Sequence, residues 1–135
     1  MKKIVIIDGQ GGKIGSQLIS CLRDAKLEAE IVAVGTNSIA TQNMLRSSPD
    51  AAATGENSVV VACRDADFII GPVGIVIADA LLGEVTPRMA TAVGQSRAKR
   101  VLIPVNKCET VTVGVGGATV AELIAEAAAL VAREI

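Results

Sequence analysis

At 135 residues the chain is long enough for one well-filled core and too short for two substantial domains, so one domain over 1–135 is expected. Half of the residues are hydrophobic, Phe68 is the sole aromatic, and 13 basic residues meet 14 acidic ones for a net charge of -1. That balance leaves no electrostatic footprint for nucleic acid and no aromatic platform for single strands. The absence of histidine excludes Ser-His-Asp and Cys-His catalysis and argues against zinc, and no metal is expected.

Cys21, Cys63 and Cys108 are odd in number and widely spaced, which speaks against a disulfide framework and for a reducing compartment. The apolar opening Ile4–Ile7 is too short for a signal-peptide core or a membrane span, so a cytoplasmic protein without a membrane partner is expected.

In chain order, Lys3–Asp8 reads as a buried strand and Lys13–Ala25 as a helix, with Ile14, Leu18, Cys21, Leu22 and Ala25 at helical spacing. Glu30–Val34 is a second strand, and the polar run Gly35-Thr36-Asn37-Ser38 can cap a helix over Ile39–Ser47. Pro49–Gly55 reads as a loop. Ser58–Cys63 fits a helix, because only Arg64-Asp65-Ala66 separate it from the next strand, too few for a parallel crossover. Asp67–Gly71 is the third strand, closed by Gly71-Pro72-Val73-Gly74. Ile75–Leu82 reads as a short helix that is apolar nearly all round. It must be covered, by its own domain or by a second copy of the chain, and a homodimer is expected.

Thr86-Pro87 starts a helix running to about Ala98, with a capping hydroxyl before a proline at the first helical position. Arg100–Pro104 is a fourth strand and Thr110–Gly114 a fifth. Thr119 and Glu122 form a capping box for the last helix, whose apolar stripe is Val120, Leu123, Ile124, Ala127 and Val131. Alternating strands and helices predict an α/β fold, doubly wound around a mainly parallel five-stranded sheet in the order 2-1-3-4-5, a Rossmann-like three-layer sandwich. The crevice at the switch point then lies between the first and third strands, and their two glycine-containing ends face it.

The first of those ends is the leading candidate site. Gly9, Gln10, Gly11, Gly12, Lys13, Ile14 and Gly15 join a buried strand to a helix start, where unpaired amides and the helix dipole favour an anion, usually a phosphate. Lys13 precedes Gly15-Ser16 instead of following the last glycine, so a Walker A loop is excluded. Asp8 would repel a nearby phosphate unless a cation or a ribose hydroxyl intervenes. The second strand ends in Thr36, Asn37 and Ser38 without the carboxylate that holds an adenosine ribose, which is compatible with a 2′-phosphate, hence NADP before NAD, or with no dinucleotide. Gly71, Pro72, Val73 and Gly74 supply the opposite wall.

Three readings of function follow. The first is a nucleotide-binding protein with NADP or NAD as cofactor; if it is an enzyme, hydride transfer fits best, since the cofactor carries the chemistry. The second is a ligand-sensing or scaffolding protein without catalysis. The third is an enzyme acting on a small phosphorylated or carboxylated metabolite, with Asp8 and Lys107 near the reaction centre. Cys108, beside Lys107, is the best nucleophile candidate because a neighbouring ammonium can lower a thiol pKa.

The frame Gly9, Gly12 and Gly15 gives Gly-x-x-Gly-x-x-Gly, which resembles the N-terminal motif Gly-x-x-Gly-x-Met-Gly of dihydrodipicolinate reductase. Ile14 replaces the Met, and Gln17-Leu18-Ile19 continues the likeness into the helix. The resemblance spans about twenty residues and implies a dinucleotide-binding unit. Over nearly its whole length the chain also resembles a family of short bacterial proteins of unknown function. That likeness rests on Ile7-Asp8-Gly9-Gln10-Gly11-Gly12, Gly35-Thr36-Asn37-Ser38-Ile39-Ala40, Ala53-Thr54-Gly55-Glu56-Asn57, Gly71-Pro72-Val73-Gly74-Ile75, Leu82-Gly83-Glu84-Val85-Thr86-Pro87 and Asn106-Lys107-Cys108. It implies the fold and a bacterial origin, and no catalytic residue.

Overall fold

The computed structural model describes residues 1–105 and 109–135. The sheet is built around β1 (Lys2–Asp8), whose residues Ile4 to Ile7 are at most 1% exposed. Both of its faces are covered, which is why the strand reads as an unbroken apolar run. Ile4 and Ile6 point into one core with Leu18, Ile19 and Leu22 of α1 (Lys13–Asp24) and with Ile124, Ala127, Ala128 and Val131 of α5 (Val120–Arg133). Met44 of α2 (Ser38–Leu45) closes that layer. Val5 and Ile7 point the other way, onto Val59 and Ala62 of α3 (Glu56–Ala62) and onto Met89, Ala90 and Val93 of α4 (Pro87–Gln95).

Five parallel strands form the sheet. β1 pairs with β2 (Ala29–Gly35) from Lys2↔Ala29 to Asp8↔Gly35, and on its other side with β4 (Phe68–Pro72) from Ile4↔Phe68 to Ile6↔Ile70. The edges are β3 (Ala51–Thr54) beside β2 and β5 (Lys99–Ile103) beside β4. The order is β3-β2-β1-β4-β5, a doubly wound three-layer α/β fold of Rossmann-like type. The switch point lies between β1 and β4, as expected.

Two strand assignments change. The first four expected strands, now β1, β2, β4 and β5, keep their predicted order, but the fifth is β3, inside the stretch expected to be a loop. Asp50 explains it: its carboxylate accepts the Ile31 amide at 2.7 Å and pairs with Arg23 at 3.1 Å, while its own amide donates to Ile31 O at 2.8 Å. That anchor sets Ala51–Thr54 against β2 despite the weak strand preference of alanine. Thr110–Gly114 forms no strand. Val111 and Val113 are 74% and 89% exposed, and Gly114 turns at φ 85°.

The helix starts follow the expected chemistry. Asn37, Thr86 and Thr119 cap α2, α4 and α5 through their side chains, the last within a complete capping box with Glu122. α4 stops at Gln95, short of Ala98, because Ser96 turns extended and its hydroxyl is used by Cys63 O and the Ala98 amide. Ile75–Leu82 is no helix. A single 3-10 turn, Val73–Val76, leads into a compact turn in which Asp79, Leu81 and Leu82 take φ of 67°, 58° and 57°. Ile75 and Ala80 are buried in the domain's own core, and Leu82 is 97% exposed. Among the described residues no helix is long and apolar enough to cross a membrane.

Ile6 is fully buried on the central strand. Ile6→Ala should cost about 2–5 kcal/mol of unfolding free energy, since the neighbours on that face cannot collapse into the void. Urea denaturation checks this, and a loss under about 1 kcal/mol would contradict the packing described.

Candidate functional site

A cleft of roughly 190 Å³ opens at the carboxyl ends of β1 and β4. Asp8, Gly9, Gln10, Gly11, Gly12, Lys13 and Ile14 form one wall, Pro72 and Gly74 the facing wall, and Ala80, Leu81 and Val105 complete it. The glycine loop and part of the Gly71–Gly74 turn therefore meet as expected. Gly15, Thr36, Asn37, Ser38, Gly71 and Val73 do not line the cleft. Lys107 and Cys108, with Asn106, lie outside the described residues.

The loop's amides are unevenly used. Asp8, 4% exposed, accepts the Gly9 amide on Oδ1 at 2.8 Å and the Gly15 amide on Oδ2 at 2.7 Å. The Gly12 amide donates to Gly9 O at 2.9 Å and closes the turn. Gln10, at φ 49°, donates its amide to Glu84 Oε1 at 2.8 Å. The amides of Gly11, Lys13 and Ile14 make no hydrogen bond to a described residue, and all three residues line the cleft. Lys13, at the first position of α1, forms no ion pair with a described residue. Of the helix-start donors the sequence offers, part are spent internally and part have no partner among the described residues.

Two glycines have specific reasons. Gly12 caps α1 in the left-handed region at φ 70°, and a β-carbon there would stand 2.6 Å from Ala40 O of α2. At Gly9 a β-carbon would stand 2.5 Å from Thr36 Oγ1, 2.7 Å from Leu81 Cδ1 and 2.9 Å from Glu84 Oε1. Gly12 lets helix meet helix, and Gly9 lets the turn beneath Glu84 close. Gly11 is different: a side chain placed on it meets no atom within 4 Å.

Glu84, beside the cleft, is the residue that sequence reasoning missed. Its Oε1 accepts three donors, the Gln10 amide, Thr36 Oγ1 at 2.7 Å and Asn37 Nδ2 at 2.8 Å. Asn37 Nδ2 also donates to Gln10 O at 3.0 Å, while its Oδ1 caps α2. Thr36 and Asn37, expected at an adenosine, thus hold a carboxylate of the same chain. Burial pushes the Glu84 pKa up, but the hydrogen bonds from Gln10, Thr36 and Asn37 outweigh it and leave the group below the ordinary glutamate range. The only advance signal was the Gly83-Glu84 pair inside the family-like stretch Leu82–Pro87.

A model of one protein family matches residues 3–135, under the description "domain of unknown function (DUF3842)". The chain belongs to that family. Among curated proteins none matches this DUF3842 member. Among solved structures it is similar to a dodecameric FMN-dependent UbiX-like decarboxylase from Escherichia coli O157:H7. The identity is 21% and the TM-score 0.52, covering 99% of this chain and 94% of that one. It is also similar to a nucleoside-diphosphate-sugar epimerase from Pseudomonas aeruginosa, at 16% identity and TM-score 0.48, over 98% of this chain and 47% of that one. The first likeness supports the Rossmann-like fold of the DUF3842 chain, and neither points to dihydrodipicolinate reductase in particular.

Because folded Glu84 binds its proton less readily than the unfolded chain does, its bonds stabilise the fold above the ordinary glutamate range. That contribution is lost as pH falls through its folded pKa. The melting-temperature gap between wild type and Glu84→Gln should narrow between about pH 6 and pH 3; a constant gap contradicts the latch. Burial pushes the Cys63 thiol up to about 11, so a maleimide at pH 7.5 should leave Cys63 unlabelled in the folded protein and modify it after unfolding.

Proposed function

We propose that this protein binds a phosphate-bearing ligand, a nucleotide first of all, at the start of α1. Phosphate oxygens would lie on the amides of Gly11, Lys13 and Ile14, with the Lys13 ammonium alongside. The observation that carries the reading is that these amides, left without a partner among the described residues, belong to residues lining the cleft. Asp8 takes two neighbouring amides for itself, so the site offers a short donor row and not a complete phosphate cage.

The fullest version of the reading is an NADP or NAD site, with Gly9–Gly15 on the pyrophosphate, Thr36–Ser38 toward the adenosine and Gly71–Gly74 opposite. The phosphate part fits the residues present. The adenosine part fits only with Glu84 displaced, because Thr36 and Asn37 donate to it. Flavin mononucleotide is the other nucleotide to try, given the FMN-dependent enzyme of similar fold. A small phosphorylated metabolite is a second reading, favoured by the cleft volume of roughly 190 Å³, below the ~300 Å³ at which drug-sized pockets begin. Hydride transfer would follow only if the ligand is a nicotinamide cofactor. Homodimer formation remains part of the proposal; the dodecameric enzyme of similar fold supports self-association, and the exposed Leu82 is the side chain through which it is tested.

Thermal-shift titration with NADPH, NADH, FMN and inorganic phosphate tests the site, since a ligand at 100 times its Kd stabilises by about 2.7 kcal/mol. Gly11→Asp should abolish the shift while leaving the unliganded melting temperature within about 2 °C, because surface changes of this kind are near neutral. Stabilisation that survives Gly11→Asp would move the site elsewhere. Light scattering on wild type and Leu82→Asp tests self-association: a dimer that becomes a monomer is expected, and a monomeric wild type removes the dimer.

A further inference from the structure

We infer that Glu84 sets which nucleotides the glycine-loop cleft accepts: it closes the β2 side of the crevice to an adenosine ribose, above all one bearing a 2′-phosphate, and leaves a site for mononucleotides. This rests on the reading that the cleft takes a phosphate, and it reverses the preference for NADP drawn from the end of β2.

In an NAD site of this fold the ribose is held at the end of the second strand by a carboxylate whose oxygens are open to its hydroxyls, whereas Glu84 Oε1 at that place already accepts three donors of its own chain. The side chains at that strand end are Thr36 and Asn37, and both donate to Glu84 Oε1 at 2.7 and 2.8 Å. The Gln10 amide, a third donor that an incoming ligand could use, ends on the same oxygen at 2.8 Å. Space is closed along with the donors. Leu81 Cδ1 and Glu84 Oε1 lie 2.7 and 2.9 Å from where a Gly9 β-carbon would be, so the turn before α4 rests directly on the glycine loop.

The turn is built to stay there. Its left-handed residues Asp79, Leu81 and Leu82, followed by Gly83 at φ 87°, are sparsely populated conformations that persist only where the surroundings hold them. Buried Ala80 and Val85 hold the turn from below, and the three bonds to Glu84 hold it from the side. A neutral ribose diol finds Thr36, Asn37 and Glu84 Oε1 already bonded to one another and must break those bonds to use them. A 2′-phosphate must also approach a carboxylate, and like charges brought together in an interface discriminate strongly. The cleft toward β4, lined by Gly11, Lys13, Pro72 and Gly74, holds the Asp8 carboxylate, whose oxygens are engaged by the Gly9 and Gly15 amides.

Isothermal titration of the full chain with FMN, NADH and NADPH, on wild type, Glu84→Ala and Glu84→Gln, tests the assignment. Wild type should bind FMN and take NADPH about tenfold more weakly or worse. Glu84→Ala, which frees the donors, should raise the affinity for both dinucleotides relative to FMN. Glu84→Gln keeps the shape and removes the charge, so it should raise NADPH relative to NADH by about tenfold even if the alanine variant fails to fold. An NADPH-to-FMN ratio unchanged by either variant, or a wild type that binds NADPH as tightly as FMN, overturns the role of Glu84 and leaves the phosphate site standing. No binding of any probe, inorganic phosphate included, to any of the three proteins overturns the phosphate site and this inference with it.

Discussion

Asp8 ties the first strand to the first helix, and the rest of the crevice depends on that tie. A carboxylate 4% exposed can be kept only if its oxygens are satisfied, and the amides of Gly9 and Gly15 do this from both ends of the turn. The loop is thereby drawn over the end of β1, and α1 starts at a fixed distance from the sheet. Hydrogen bonds to charged groups contribute about 1.5–3 kcal/mol each. The same bonds that order the loop remove two of its donors from service to a ligand, so what remains is a row of three amides beside Lys13.

Glu84 repeats this logic one layer out. It comes from a turn 74 residues away from Gln10 and joins three elements at one oxygen, the glycine loop, the end of β2 and the start of α2. Two carboxylates of the chain thus take donors of the glycine loop and of the β2 end for themselves, and the open cleft lies on the side that Glu84 leaves uncovered. The cleft is shaped as much by the carboxylates the protein keeps for itself as by the glycines that announce it.

Most of the architecture was legible because its signals are local. The apolar run Ile4–Ile7, the cap at Thr86-Pro87 and the box at Thr119/Glu122 each specify an element from adjacent letters, and the alternation of elements specifies the order of the central strands. β3 was not legible: Ala51-Ala52-Ala53-Thr54 carries no β-branched pattern, and its pairing is imposed by Asp50 on β2. Thr110–Gly114 failed in the opposite way, since alternating valines imitate a strand but find no neighbour to pair with. In the site, the glycine loop announced itself through spacing, whereas the employment of Thr36 and Asn37 by Glu84 depends on contacts across 48 and 47 residues that no local window contains.

The parallel order has a consequence for how the molecule is made. β1 is the middle of the sheet, yet its partners β2 and β4 end at Gly35 and Pro72, so a growing chain carries Ile4–Ile7 for some seventy residues before the second partner exists. During that interval a strand with four consecutive buried aliphatic residues has at least one open edge, the condition under which nascent chains stick to one another or recruit chaperones. The element that organises the finished crevice is also the one most exposed to mishap during translation.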